Sequence, residues 1–140
     1  MKILRASTES EYQEISQFFW NIWKEEFNLD RFDRIDEYKQ WTVFYIEINS
    51  RIVSAINIRD FQDTKHIWRF GTIKEYRWKW YWWKLMNYTL DYLQNNWEAK
   101  VSLDADFNRT ALYKKYWFKQ VGEKIAVWNT YWIKMVKKLS

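Results

Sequence analysis

Residues 77–84, which read RWKWYWWK, have residue types and a position in the chain that could form a ligand-binding site. They join a predicted strand to a predicted helix, and the first backbone N–H groups of a helix have no partner inside it. These N–H groups and the helix dipole can together bind a pyrophosphate. Arg77 and Lys79 add positive charge just before the helix, which favours phosphate binding over a merely solvated face. The stretch therefore predicts a site for a phosphate-bearing ligand.

The same stretch allows a second interpretation, because basic and aromatic side chains are interleaved in it. Such a module could stack on single-stranded nucleic acid or lie in a membrane interface. A salt-dependent affinity for oligonucleotides would favour nucleic acid. We rank this binding module behind the phosphate site, because it leaves the element order and the second motif described below unexplained.

Composition excludes several other kinds of site. The 140 residues contain no cysteine, which excludes disulfides, thiolate metal sites and a cysteine nucleophile. The single histidine, His66, disfavours a histidine-based metal cluster. No apolar run approaches the roughly 20 residues of a membrane span, and the N-terminus lacks a signal-peptide pattern. We therefore expect no membrane partner and a cytoplasmic location. The formal charge of +5 suits an anionic ligand as well as nucleic acid.

The elements that must position this stretch begin with a strand over 2–6 and a helix. Thr8 followed by Glu11 is a capping-box pattern, and apolar residues at helical spacing extend the helix to about residue 26. Residues 28–40 are polar and allow a second short helix. Three β-branched and aromatic segments, at 42–48, 51–59 and 66–73, predict an antiparallel meander.

The second half alternates helices and strands. The pattern predicts a helix over 82–95, a strand over 100–105, a short helix over 108–116 with Asn108 as N-cap, and a strand pair over 118–127 and 130–136. The order β-α-α-β-β-β-α-β-α-β-β predicts an α/β fold of the layered α+β kind, with helices flanking a mixed, mostly antiparallel sheet. Because no linker, repeat or low-complexity tail interrupts it, residues 1–140 are expected to form a single domain.

Two motifs within this order resemble the GNAT acetyltransferase superfamily. In the first, residues 68–86, the family ends a strand and continues as Glu-Tyr-Arg-Gly-Lys-Gly-x-Gly before a helix. The sequence matches the family at Glu75, Tyr76, Arg77, Lys79, Leu85 and Met86, and it has Trp78, Trp80 and Trp82 where the family has glycine. Glycine suits that loop because a side chain blocks the close approach of phosphates to the backbone.

The second motif covers residues 108–118. The family pattern contains Asn, Ala, Leu-Tyr and a final Gly-Phe. The sequence matches it at Asn108, Ala111, Leu112, Tyr113 and Phe118, with Trp117 in the glycine position. Together with the element order, the resemblance covers nearly the whole chain, with a GNAT-like sheet and helices as the implied fold.

The resemblance implies an N-acetyltransferase that uses acetyl-CoA as co-substrate. In the family, backbone amides of the strand before the loop pair with the pantetheine arm and hold the thioester carbonyl, whose developing charge needs donors. A bulge there would separate this strand from the strand at 100–105. The implied cofactor-binding residues are Phe70, Gly71, Thr72, Arg77, Trp78, Lys79, Trp80, Tyr81, Trp82, Trp83 and Asn108. Tyr113 is implied as the catalytic general acid that protonates the departing thiolate, and Asn108 could equally cap its helix.

The acceptor and the general base are not identified by the sequence. A small amine or a peptide amine is the expected partner, bound by residues of about 20–40 and 125–132. The candidates for the base are Glu47, Glu75, Asp104, Asp106 and His66, acting directly or through water, and none is assigned. The C-terminal strand pair could mediate a homodimer. A GNAT-like scaffold that binds no cofactor remains an alternative.

The tryptophan content conflicts with the rest of the composition. The chain has 12 Trp, 2 Gly and no Pro, whereas average usage gives about 10 Gly and about 7 Pro. An AT-rich gene explains scarce glycine but not abundant tryptophan. Besides the loop tryptophans, Trp97 and Trp117 directly follow predicted helices, where a residue in the left-handed conformation commonly ends the helix. Trp128 and Trp132 lie where the family often has glycine. We hypothesise that many of these codons are UGA, read as glycine by the source organism. Trp20 and Trp23 fit a helix as genuine tryptophans.

Overall fold

The computed structural model describes residues 2–28, 34–77, 79–127 and 130–139. Its elements are β1 (Lys2–Arg5), α1 (Glu9–Phe27), α2 (Ile35–Gln40), β2 (Thr42–Ile48), β3 (Arg51–Phe61), β4 (Thr64–Thr72), α3 (Tyr81–Asn95), β5 (Lys100–Asp106), α4 (Thr110–Lys114), β6 (Lys119–Val127) and β7 (Thr130–Lys138). Short 3₁₀ helices cover Lys74–Tyr76 and Phe107–Arg109. The predicted element order is confirmed.

The strands form one seven-stranded sheet in the order β1-β2-β3-β4-β5-β7-β6. The pairs β1–β2, β2–β3, β5–β7 and β6–β7 are antiparallel. Strands β4 and β5 are parallel, and their register joins Lys65, His66 and Ile67 to Val101, Ser102 and Leu103. The mixed, mostly antiparallel sheet with flanking helices agrees with the predicted fold class.

The chain divides into two compact units, of which the first contains residues 1–59 and 69–89. Its core is made by α1 and α2 packing on one face of β2 and β3. Phe19 of α1 stacks on Tyr38 of α2, with ring centroids 6.3 Å apart, and both are buried with Val43 and Tyr45. Alternation along β2 and β3 places these strand residues on one face, so burial fixes the strand register.

Helix α1 begins as the sequence predicts. The Thr8 hydroxyl accepts from the Glu11 backbone N–H at 3.2 Å, and the Glu11 carboxylate accepts from the Thr8 backbone N–H at 3.1 Å. This reciprocal capping box satisfies two N–H groups that the helix leaves open. The Tyr45 hydroxyl on β2 also donates to Glu11, so the cap connects the helix start to the sheet.

The second unit contains residues 60–68 and 90–140. On β5, Val101, Leu103 and Ala105 are buried, and β7 contributes Ile133 and Met135. These positions alternate along both strands, as expected when one face packs against a helix layer. Strand β6, by contrast, is exposed over nearly its whole length.

One local prediction is wrong. Asn108 does not cap a helix that starts after it. The Asp106 carboxylate accepts from the Asn108 backbone N–H at 3.0 Å and caps the 3₁₀ turn in which Asn108 lies. Asp106 directly precedes the turn and competes for the same N–H groups, and its carboxylate is the better acceptor.

Candidate functional site

The end of β4 is held to β3 by side chains of the first unit. The Ser54 hydroxyl donates to the Gly71 carbonyl at 3.2 Å and lies 2.9 Å from the Thr72 hydroxyl. Both hydroxyl residues are buried. A β-carbon on Gly71 would come within 2.8 Å of Ile22 Cδ1, so helix α1 approaches this strand closely where glycine stands.

Two further contacts fix the backbone around residues 70–72, which the sequence predicts to bind a pantetheine arm. The Arg69 backbone N–H donates to the Asn57 side-chain carbonyl at 3.0 Å, and the Ile73 N–H donates to the Val53 carbonyl at 2.9 Å. A side-chain amide therefore takes the place of a main-chain acceptor at Arg69. Sequence reasoning missed Ser54 and Asn57, because their importance comes from a neighbouring strand rather than from local spacing.

Arg77 lies in the turn that follows β4. Its Nε donates to the Thr72 carbonyl at 3.0 Å, and its guanidinium pairs with the carboxylate of Glu26 near the end of α1. The sequence analysis expects Arg77 to add positive charge to a phosphate site. The structure shows that Arg77 also connects the turn to β4 and to α1. The local sequence around Glu26 did not predict this role.

The residues of the first motif lead from this turn into α3. The Lys79 ammonium lies 5.1 Å above the Tyr76 ring, and the Trp80 carbonyl accepts from the Lys84 N–H at 3.0 Å. Trp82 stacks on Phe70 of β4 with centroids 5.2 Å apart. The remaining predicted residues of the first turn of α3 are Tyr81, which is half-buried, and Trp83, which is exposed. Trp78 lies outside the described residues.

Trp80 has a backbone conformation that is unusual for its residue type. Its φ is +67°, in the left-handed region, and its side chain is 71% exposed. L-residues with a β-carbon avoid this region, whereas glycine enters it freely. Position 80 thus has the backbone of a glycine position, as the first motif predicts, with an exposed indole in place of a hydrogen atom.

Trp97 and Trp117 show the same feature at two helix ends, with φ of +63° and +69°. After α3, the Trp97 N–H donates to the Gln94 carbonyl and the Glu98 N–H to the Leu93 carbonyl. After α4, the Trp117 N–H donates to the Lys114 carbonyl and the Phe118 N–H to the Tyr113 carbonyl. Each pair is a Schellman motif, in which the left-handed residue is usually glycine. The predicted left-handed conformation at both positions is confirmed. Trp128 lies outside the described residues.

Tyr113 lies in α4 of the second unit. Its ring packs edge-to-face on Phe118, with centroids 6.1 Å apart. Burial raises the pKa of Tyr113 to about 12, with Asp106 adding to the rise and Arg109 opposing it. The phenol therefore keeps its proton throughout the neutral range, as a proton donor must.

The candidate bases lie in different environments. Glu75 is exposed, and Glu47 and Asp106 are half-buried. His66 is buried on β4 and lies near Ser102 and Asp104 of β5. Asn108 is exposed in its 3₁₀ turn. Two of the candidates are neighbours, since His66 Nε2 lies 3.4 Å from Asp104 Oδ2.

The sequence matches the family described as Acetyltransferase (GNAT) domain over residues 6–139. The chain belongs to this GNAT acetyltransferase family. Family membership implies acyl-CoA-dependent acyl transfer, and residues 77–80 precede α3, the helix at which the GNAT resemblance places the phosphates. No curated protein matches the sequence.

Solved structures support the GNAT fold. An acyl-CoA N-acyltransferase from Pseudomonas aeruginosa superposes with a TM-score of 0.85 at 16% identity, covering 98% of this chain and 99% of that one. An aminoglycoside 6′-N-acetyltransferase complexed with coenzyme A gives 0.76 at 15% identity, covering 100% and 98%. The ribosomal-protein-S18-alanine N-acetyltransferase from Escherichia coli gives 0.76 at 12% identity, covering 99% and 95%. At these identities the likeness shows the fold alone.

In the described part of the chain, no helix combines the length and apolar character that a membrane crossing needs. The same residues contain no group of three or more His, Cys, Asp or Glu side chains placed to hold a metal ion.

Proposed function

We propose that this GNAT protein transfers the acetyl group of acetyl-CoA to a primary amine. The observation that carries the proposal is the family match over residues 6–139, and the strand–turn–helix unit from β4 to α3 supports it. Backbone N–H groups at the start of α3 would bind the pyrophosphate, and Lys79 would add charge. Residues 70–72 would hold the pantetheine arm and the thioester carbonyl.

The reaction proceeds by direct attack within a ternary complex. The amine gives up a proton to one of the candidate bases, directly or through water. Its nitrogen then attacks the thioester carbon, and the carbon–sulfur bond breaks with its electron pair on sulfur. Backbone donors near residues 70–72 would stabilise the oxyanion. Tyr113, with its pKa raised to about 12 by burial, would donate its proton to the departing thiolate.

The proposal includes glycine at the tryptophan positions of the loop in the protein that the source organism makes. The φ of +67° at Trp80 supports this, because glycine alone takes it without strain. A side chain at this position would also hinder the close approach of phosphates to the backbone. The activity is therefore expected of the glycine form, and the coding DNA tests the substitution directly, since UGG codons would contradict it.

The decisive experiment is calorimetric titration of acetyl-CoA into two proteins. One is the chain as given. The other, here called the nine-glycine variant, has glycine at positions 68, 78, 80, 82, 83, 97, 117, 128 and 132. Circular dichroism of both proteins serves as the folding control.

Binding by the nine-glycine variant alone would support both the cofactor and the glycine assignment. Binding by both proteins would support acetyl-CoA as co-substrate while removing the need for glycine. If neither folded protein bound acetyl-CoA, the acetyltransferase proposal would be wrong.

A further inference from the structure

Two contacts in the first unit give the register of β4 against β3 near its end. The strands are neighbours in the sheet and only two residues join them, so they are antiparallel. The Ile73 N–H donates to the Val53 carbonyl at 2.9 Å, and the Ser54 hydroxyl lies 2.9 Å from the Thr72 hydroxyl. Val53 and Ile73 therefore form a hydrogen-bonded pair, and Ser54 faces Thr72 in the adjoining pair without main-chain hydrogen bonds.

This register decides which main-chain groups of β4 point away from β3. In a pair without main-chain hydrogen bonds, the N–H and C=O of Thr72 point away from the partner strand. The position of Arg77 agrees, because its Nε donates to the Thr72 carbonyl at 3.0 Å. The Gly71 carbonyl points the other way and accepts from the Ser54 hydroxyl. By the same alternation, the N–H of Phe70 lies on the side of Thr72.

Asn57 changes the hydrogen-bond ladder at the next position along β4. The same register pairs Arg69 with Asn57, and in a regular ladder the Arg69 N–H would donate to the Asn57 main-chain carbonyl. In the structure it donates to the Asn57 side chain at 3.0 Å. A backbone N–H can only donate, so the amide atom that accepts is Oδ1. A side-chain acceptor thus enters the ladder directly before the segment 70–72.

The stability of the fold does not explain an asparagine at this position. Asn57 is 0% exposed, and its Nδ2 is buried with no hydrogen-bond partner in the described part of the chain. Burying an amide donor without a partner costs free energy. An apolar side chain would avoid that cost, so the contribution of Asn57 lies in what its Oδ1 holds.

We infer that Asn57 is a positioning residue for acyl transfer. Its Oδ1 holds the Arg69 N–H and so fixes the register of β4 in which the N–H groups of Phe70 and Thr72 face the thioester. This inference rests on the proposed function, which assigns the pantetheine arm and the thioester to residues 70–72. A slip of β4 by one residue would turn these two N–H groups toward β3 and present Gly71 in their place. Asn57 is fully buried and acts through β4.

Amide hydrogen exchange of the nine-glycine variant tests the register without any further substitution. NMR follows the exchange with and without acetyl-CoA. We expect acetyl-CoA to slow exchange at Phe70 and Thr72 more than at Gly71 and Ile73, whose N–H groups face β3. ADP, which carries a pyrophosphate but no pantetheine arm, should leave all four rates unchanged. Slowing by acetyl-CoA that is equal at the four positions, or strongest at Gly71 and Ile73, would overturn the inference.

Two substitutions of Asn57 in the nine-glycine variant separate positioning from stability. Asn57→Leu should lower kcat by about 100-fold, because a small displacement of oxyanion donors costs about that much, while ADP binding stays unchanged. Asn57→Asp should restore most of kcat, because a carboxylate still accepts from the Arg69 N–H. It also buries a charge, so its urea midpoint should be the lower of the two. Activity and stability are therefore expected in opposite order.

Thr89→Val is the matched control. Thr89 is also 0% exposed, and its hydroxyl donates to the Leu85 carbonyl at 2.8 Å within α3, so the control removes a buried hydrogen bond of the same unit. It should keep kcat. A kcat that follows the urea midpoint across these proteins, or an equal loss in Thr89→Val and Asn57→Leu, would contradict a positioning role. If Asn57→Leu does not fold, the exchange pattern of the nine-glycine variant decides.

Acetyl-CoA titrations separate the two ways to fail. Acetyl-CoA binding to the nine-glycine variant, together with an unaltered kcat in folded Asn57→Leu, would reject this inference and leave the proposed function standing. No acetyl-CoA binding to the folded nine-glycine variant would reject the proposed function, and this inference with it.

Discussion

The surroundings of Tyr113 change the pKa of its side chain. Burial raises its pKa to about 12, so the phenol holds its proton where an exposed tyrosine near pH 10 begins to lose it. Phe118 packs on its ring edge and limits its orientation. The GNAT resemblance implied an acid at this position, and a tyrosine meets the requirement for a protonated group at neutral pH with or without the raised pKa.

The prediction at the residue scale concerns Tyr113→Phe in the nine-glycine variant. We expect kcat to fall by about 100-fold or more, because general acid catalysis contributes on that scale, while the acetyl-CoA dissociation constant stays nearly unchanged. Release of CoA from acetyl-CoA, followed with a thiol reagent and an amine acceptor, gives the rate. Tyr116→Phe is the matched control and should retain activity. Equal rates for the two variants would remove Tyr113 from the mechanism.

At the scale of elements, helices α3 and α4 end in the same way. Both close with a Schellman motif whose left-handed residue is a tryptophan, and these two side chains are 94% and 78% exposed. Exposed indoles gain little from packing, so nothing offsets the backbone strain of a positive φ. The ends of α3 and α4 therefore support the glycine hypothesis independently of the phosphate loop.

We expect Trp97→Gly and Trp117→Gly each to stabilise the protein by about 1 kcal/mol, because a left-handed conformation costs an L-residue about that much and glycine little. Urea unfolding of the single variants measures the change. Trp20→Gly, inside α1, is the control and should destabilise by about 1 kcal/mol or more from helix propensity alone. A loss of stability at both helix ends would show that the tryptophans are suited to these positions.

At the scale of the whole molecule, several tyrosines favour their neutral form. Burial raises the pKa of Tyr113 and of Tyr116 to about 12. The pKa of Tyr45 is raised as well, by burial first and then by its hydrogen bond to Glu11. A group whose pKa is raised on folding contributes stability below its unfolded pKa and loses it as pH rises toward the folded value.

The free energy of unfolding should therefore be steady up to about pH 10, the unfolded tyrosine value, and fall between about pH 10 and 12. Urea midpoints across this range measure it, and phenolate absorbance reports the ionisation. Tyr116→Phe should make the fall shallower, because one raised group is removed. A free energy of unfolding that stayed level to pH 12 would contradict the raised pKa values of these tyrosines.

Much of the fold could be predicted from local patterns. The capping box at Thr8 and Glu11, the apolar spacing of α1 and the alternation along β5 are short-range features, and each agrees with the structure. The strand over 66–73 proved to begin at Thr64 and the helix over 82–95 at Tyr81. Boundaries shift because pairing and turn geometry settle element ends.

The sequence by itself determined the element order, the GNAT motifs and the positions where glycine is wanted, since these depend on spacing along the chain. Only the tertiary structure decided the partners of Arg69 and Arg77 and the contact of His66 with Asp104. Those contacts join residues that are 12, 51 and 38 positions apart. Local patterns carry no record of such contacts, because strand pairing and helix packing bring the groups together.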